Sequence, residues 1–273
     1  MEMERYGSIV QRGMLMMVLS IVLLVAGGCR TMRTTQVYHP HVHPAGTPPR
    51  IVLLTDVMNM RDMGGWSAGE GRRVRFGRLY RSAAFDRKDK WFDFGGRPTA
   101  SSETRGFVVG KLGVKTDLDL RAAHEVRGLR ESPLGGTVRW VNVPFTTGIG
   151  VNSQEGKEAF RRIFRILQDA DNYPIVIHCQ FGRDRTGMLC YILNGLLGVS
   201  KRDLLDDWQS SLAWFETERY SREKFEREVD AAFADQPGAT IQEKIRAYVK
   251  ALGFTDAEID SYIAAAIEPV GVH

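Results

Sequence analysis

Residues 175–188, Ile175-Val-Ile-His-Cys-Gln-Phe-Gly-Arg-Asp-Arg-Thr-Gly-Met188, constrain this chain more than any other stretch. Ile175, Val176 and Ile177 are apolar and β-branched, the pattern of a short buried strand. Met188, Leu189, Ile192, Leu193 and Leu196 recur at helical spacing. The loop between them begins with Cys179, has Gly182 in its middle and ends with Arg185. A strand–loop–helix unit aims backbone N–H groups and the positive end of the helix at one small volume, which favours an oxyanion there. The same field favours a nucleophilic thiolate over a thiol. Gly182 permits backbone dihedrals closed to other residues. Arg185 can fork two donors onto a tetrahedral oxyanion, and the Thr186 hydroxyl can donate to the thiolate. A buried inert cysteine is the ordinary alternative. It does not explain two arginines, an aspartate and a threonine beside the thiol.

The run His178-Cys179-Gln180-Phe181-Gly182-Arg183-Asp184-Arg185-Thr186-Gly187 resembles the phosphate-binding loop of the cysteine-dependent phosphatases, the protein tyrosine and dual-specificity superfamily. The resemblance implies a single α/β domain with a central, mostly parallel twisted sheet flanked by helices. It implies a phosphomonoester hydrolase in which Cys179 attacks phosphorus. Arg185 and the loop from Gln180 through Phe181, Gly182, Arg183, Thr186 and Gly187 hold the phosphate, and His178 tunes the thiolate from behind. Such a mechanism calls for no metal and no organic cofactor. Phosphorylated protein, phosphotyrosyl first, is the implied substrate, and phosphoinositides or inositol phosphates are the runner-up. A non-catalytic phosphate-binding module is expected to have lost Cys179 or Arg185, and both are present. A thiol oxidoreductase would need a resolving Cys-x-x-Cys pair, which the chain lacks.

Further motifs carry the likeness across the domain. Asn59-Met-Arg-Asp-Met-Gly-Gly65 resembles the opening motif of a bacterial branch of the superfamily, in which a segment like Leu79-Tyr-Arg-Ser82 also recurs. Arg61 and Asp62 are either a buried ion pair or groups facing the site. Val114 to Arg121 alternates as a central strand, and Asp119-Leu-Arg121 resembles the motif at the end of the strand beside the catalytic one. Arg121 is expected to bridge to Glu125 and hold that strand end against the phosphate loop. Arg139 to Phe145 is a further strand, ended by Pro144. In classical tyrosine phosphatases the loop that follows presents an acidic proton donor, but Thr146 to Asn152 contains no aspartate. The donor is therefore expected to be Asp184, with Asp62 as the spare candidate. The alternative for Asp184 is a positioning role beside Arg183 or Arg185.

The 273 residues are 43% hydrophobic and 26% charged, enough to bury the core of one catalytic domain, read as residues 51–270. Alternation through Val74, Phe76 and Leu79 suggests a hairpin whose arginines face water. Thr99 to Val109 suits a short helix. Phe160, Ile163, Phe164 and Leu167 make Lys157 to Ala170 an amphipathic helix. Ser200 with Asp203 is a helix cap, and Thr240-Ile-Gln-Glu243 and Thr255-Asp-Ala-Glu258 are capping boxes that open the helices of a C-terminal cap. Asp207 to Ser211 is expected to contribute packing, chiefly through Trp208. Glu216 to Arg227 reads as a solvated helix or lid. The net charge of +4 suits an anionic substrate or an acidic membrane surface. No basic stripe is interleaved with aromatics, so no nucleic-acid partner is expected.

Met14 to Ala26 is apolar apart from Ser20 and is followed by Gly27-Gly28-Cys29. It has the length of a signal-peptide core and is short for a transmembrane span. Small residues before a cysteine resemble the cleavage and lipidation box of bacterial lipoproteins. Residues 1–28 are therefore read as a signal peptide and Cys29 as the lipidated residue. The product is expected to be exported and anchored on the periplasmic or outer side of a bacterial envelope. A retained signal anchor and plain secretion are the alternatives. Residues 29–50, with Pro40, Pro44, Pro48 and Pro49, read as an extended linker, and His39, His41 and His43 as solvated linker residues.

Overall fold

The computed structural model describes residues 51–52, 54–86, 99–214 and 221–270. The leader, Cys29, the proline-rich spacer and the 87–98 segment lie outside the described residues. Among the described residues a six-stranded sheet runs in the order β1-β2-β4-β7-β5-β6. Its members are β1 (Ile51–Val52), β2 (Met60–Asp62), β4 (Leu79–Ser82), β7 (Ile175–His178), β5 (Thr116–Asp119) and β6 (Arg139–Asn142). The four strands from β4 to β6 are mutually parallel, whereas β1 and β2 add antiparallel at one edge. Strand β7, which leads into Cys179, is therefore interior, flanked by β4 and β5, and its residues 175–178 are all buried. A continuous apolar strand is what such a position requires.

Alternation along β7 divides the two cores. Ile175 and Ile177 face the larger core, and Val176 faces a smaller one with Tyr80, Met60 and Val114. The larger core holds α2 (Gln154–Gln168), α3 (Asp184–Leu196) and α4 (Lys201–Gln209), together with α5 (Arg222–Ala232), α6 (Ile241–Ala251) and α7 (Asp256–Ala266). On α2 the stripe Phe160, Ile163, Phe164 and Leu167 is at most 1% exposed, and each such side chain contributes about 1.5–3 kcal/mol of transfer free energy. The smaller core is covered by α1 (Ser102–Arg105) and a π-helical turn at Gly106–Lys111, where a short helix was expected. The caps anticipated from sequence are formed. Ser200 accepts from Asp203 N, and Thr240/Glu243 and Thr255/Glu258 are reciprocal capping boxes.

One expectation is corrected. Strand β3 (Arg72–Val74) turns back on the chain before it, with Val74 N donating to Trp66 O and Ala68 N to Arg72 O, and does not run on into a hairpin with β4. It pairs antiparallel with β8 (Ile267–Pro269) at the far end of the domain, and Arg73 meets Glu268 at 2.9 Å. Strand β4 is taken instead by β2 and β7. Interior pairing with β7 buries Leu79 to Ser82 completely, and a two-stranded hairpin could not.

Candidate active site

Cys179 follows β7 directly, is 2% exposed, and begins a loop that closes at the first turn of α3. Three consecutive carbonyls of that loop are tied outward. Gln180 O accepts from Ala84 N at 3.3 Å, Phe181 O from Asn59 Nδ2 at 3.1 Å, and Gly182 O from Arg81 Nη2 at 2.7 Å. In a trans peptide the C=O and the following N–H point in opposite directions. Fixing these carbonyls on the scaffold therefore turns the N–H groups of residues 181–183 toward the concave side of the loop. Gly182 has φ +67°, and a Cβ there would stand 2.2 Å from Ser82 O. Only glycine fits.

Arg185, on the first turn of α3, closes the loop opposite Cys179. It forks onto Glu125 through Nη1–Oε2 at 2.5 Å and Nη2–Oε1 at 2.8 Å. Burial opposes its charge, but the bond to Glu125 and the nearby Cys179 sulfur hold the guanidinium above its ordinary range. The same bond, assisted by Ala122 N, holds Glu125 below the usual carboxylate range.

Behind the cysteine, His178 is fully buried between two carboxylates, Asp117 Oδ1 at 2.9 Å and Asp119 Oδ2 at 3.9 Å. Burial alone would lower its pKa. Asp119 and Asp117 outweigh burial and raise it to about 9, so the imidazolium is the form present at neutral pH. Its Nδ1 lies 3.3 Å from Cys179 O.

A second buried network holds the other side of the loop. Asp207 receives Arg61 Nε at 3.0 Å and Arg81 Nη1 at 2.5 Å, and Arg81 carries the connection on to Gly182 O. Arg61 also donates to Ser211 Oγ and to the side chain of Asn59, the residue that holds Phe181 O. Two guanidinium groups share one carboxylate out of water, and burial and Arg81 together push Arg61 down to about 10. Trp208, next to Asp207, packs so close to α3 that a Cβ on Gly187 would lie 2.5 Å from its ring.

A model of the tyrosine phosphatase family matches residues 52–268. The chain belongs to that family. A Cupriavidus necator protein with the provisional name of tyrosine-protein phosphatase is 28% identical over 181 residues, which cover 57% of this chain and 60% of that one. The chain thus matches less than two thirds of that relative's length. Among solved structures, the core catalytic domain of the PP-IP phosphatase SIW14 from S. cerevisiae is 20% identical with a TM-score of 0.36, over 56% of this chain and 81% of that one. P. aeruginosa TpbA is 18% identical with a TM-score of 0.36, over 73% of this chain and 95% of that one.

Within this tyrosine phosphatase family member, several sequence expectations need correcting. Arg121 does not bridge to Glu125. It forks onto Asp119 at 2.8 Å and reaches Asp86 at 2.8 Å, leaving Glu125 to Arg185. Asp62 is not at the loop. Its two oxygens accept from Gly64 N and Gly77 N, both at 2.7 Å, and strand alternation puts it on the face opposite Arg61. A carboxylate engaged by two backbone donors in a turn is a structural clamp, so it is withdrawn as the spare acid. Arg183 is buried and forks onto Asp184 through two 3.0 Å bonds. Thr186 Oγ1 is buried without a hydrogen bond, and the expected donation to the sulfur is not formed. Asn59, Arg81 and Asp207 were not singled out from sequence as supports of the loop. The Asn-x-Arg and Leu-Tyr-Arg-Ser motifs are the visible signal for Asn59 and Arg81, whereas Asp207 lies in the stretch read as packing.

Among the described residues no cluster of metal-ligating side chains is present, and no helix is long and apolar enough to cross a membrane.

Proposed function

We propose that this protein is a cysteine-dependent phosphomonoesterase of the protein tyrosine or dual-specificity type. The observation that carries the reading is the loop itself. One buried thiol and one forked arginine lie together at a turn whose Gln180, Phe181 and Gly182 carbonyls are tied outward. Cys179 attacks phosphorus in line, the P–O bond to the substrate oxygen breaks as the cysteinyl-phosphate forms, and the phenol or alcohol leaves with a proton from the general acid. Arg185 and the loop N–H groups hold the equatorial oxygens, and water then releases phosphate. Preorganised donors of this kind act on charge that develops in the transition state, the largest usual contribution to such catalysis.

Asp184 is the general acid in this reading. Its side chain is 37% exposed, it begins α3 next to Arg185, and it lines a cavity of about 230 Å³ with Thr147 and Trp208. The fork from Arg183 fixes the carboxyl plane while leaving lone pairs on both oxygens to carry a proton. The loop after β6 supplies no carboxylate.

The substrate panel that tests the reading compares phosphotyrosyl, phosphoseryl and inositol phosphate substrates with the purified protein. Turnover of phosphotyrosyl substrate is expected to dominate, and failure to release phosphate from any of them overturns the assignment.

We further propose export and anchoring through Cys29, on the strength of the apolar core at Met14 to Ala26 and the Gly27-Gly28-Cys29 box. Labelled acyl chain should enter the wild-type protein and not Cys29→Ser. Unlabelled, unprocessed cytosolic protein contradicts it.

A further inference from the structure

A groove leaves the phosphate loop on the Asp184 side. Its inner part, about 230 Å³, is bounded by Asp184, Thr147, Trp208, Phe225, Lys224 and Glu228. Its outer part, about 500 Å³, shares Thr147, Lys224 and Glu228 and runs on to Ile149, Arg227 and Ala231. The two adjoin along these three shared walls, and the inner one reaches the phosphate loop at Asp184. The floor of the inner part is an aromatic pair, Trp208 stacked on Phe225 with ring centroids 4.4 Å apart and planes within 4°. At the outer end Ile149 is 70% exposed. That exposure is held in place, because the turn Gly148–Asn152 is bound to the end of α5 through Asn152 Nδ2 and Ala232 O at 2.6 Å, and its Val151 is buried.

Ile149 and the exposed Ala231 together form a small apolar shelf on the otherwise charged wall of the outer part. The groove walls bear Lys224 and Arg227 but also Glu228, so the charge is mixed. A compact polyanion such as an inositol polyphosphate gains little from a wall that carries a carboxylate and an aliphatic shelf. An extended polypeptide, with alternate apolar and polar side chains, matches it.

Resting on the phosphatase reading, we infer that this groove binds the polypeptide flanking the phosphorylated residue. The shelf of Ile149 and Ala231 receives an apolar side chain of the substrate and selects for it. The groove then acts through substrate positioning, apart from the chemistry at Cys179.

The test uses the full chain, p-nitrophenyl phosphate, and phosphotyrosyl peptides in which one leucine, or a serine in its place, is walked along both flanks. One leucine position should raise kcat/KM by about tenfold over serine, the scale of a single apolar side chain in a pocket. Ile149→Ser should erase that preference while p-nitrophenyl phosphate turnover stays within about twofold of wild type, because the small ester does not reach the shelf. Ala231→Asp, a change at the same shelf from a different element, should do the same. A wild-type enzyme indifferent to leucine at every position overturns the groove assignment, as does equal loss on ester and peptide in both variants. No turnover of p-nitrophenyl phosphate by wild type instead overturns the phosphatase reading, and the groove assignment falls with it.

Discussion

Arg185 and Glu125, sixty positions apart in sequence, face each other through two parallel hydrogen bonds of 2.5 and 2.8 Å. The pair fixes the plane of the guanidinium that closes the phosphate loop. Each side chain is about one fifth exposed, so the pair matters more for geometry than for stability.

Glu125→Gln keeps the shape and removes the charge. A misplaced fork should lower kcat/KM by about 10²-fold, with little change in melting temperature. Steady-state kinetics with an aryl phosphate checks this, and wild-type kinetics in the variant would show that Arg185 needs no partner.

Among the described residues, Asp207 is the one carboxylate that Arg61 and Arg81 share. Asp207→Asn leaves two buried cations uncompensated, a loss of about 3–5 kcal/mol. It also loosens the hold of Arg81 on Gly182 O. Urea unfolding should show a lower midpoint at unchanged slope. An undisturbed midpoint would mean that the arginines find other partners.

His178 has a folded-state pKa raised from 6.5 to about 9. A raised pKa means that the folded state binds the proton more tightly, so the stabilisation is full below 6.5 and is lost as pH rises through about 9. The stability deficit of His178→Asn relative to wild type should therefore be largest below neutrality and shrink across that window. Denaturant midpoints at several pH values measure it, and a deficit independent of pH contradicts a buried imidazolium.

How much of this was legible in the sequence depends on how local the interaction is. The strand–loop–helix around Cys179 and the two capping boxes are encoded by residues a few positions apart, and all of them formed as read. The α2 stripe was equally clear, because 3.6-residue periodicity is a property of neighbours. The supports of the loop were not. Asp207 meets Arg61 across 146 positions, and β3 meets β8 across almost the whole domain. Such pairings are decided by topology and by which carboxylate is nearest once strands have docked. Arg121 illustrates the point: besides Asp119 it takes Asp86, 35 positions back in the chain, also at 2.8 Å, while Glu125 is turned toward α3.

Asp184→Asn separates proton donation from positioning. A phenolate leaves without help, whereas an alkoxide needs a proton, and acid catalysis typically contributes ~10²–10⁴-fold. The variant should lose far more activity on an alkyl phosphate than on an aryl phosphate with a good leaving group. Equal losses would reduce Asp184 to a partner of Arg183.

The central claim is that Cys179 becomes covalently phosphorylated during turnover. Rapid acid quench of the wild-type protein with a ³²P-labelled phosphotyrosyl peptide, followed by proteolysis, measures it directly. The account predicts label on the peptide containing Cys179, none on Cys179→Ser, and loss of turnover in that variant with phosphate-analogue binding retained. Undiminished phosphate release by Cys179→Ser would contradict it.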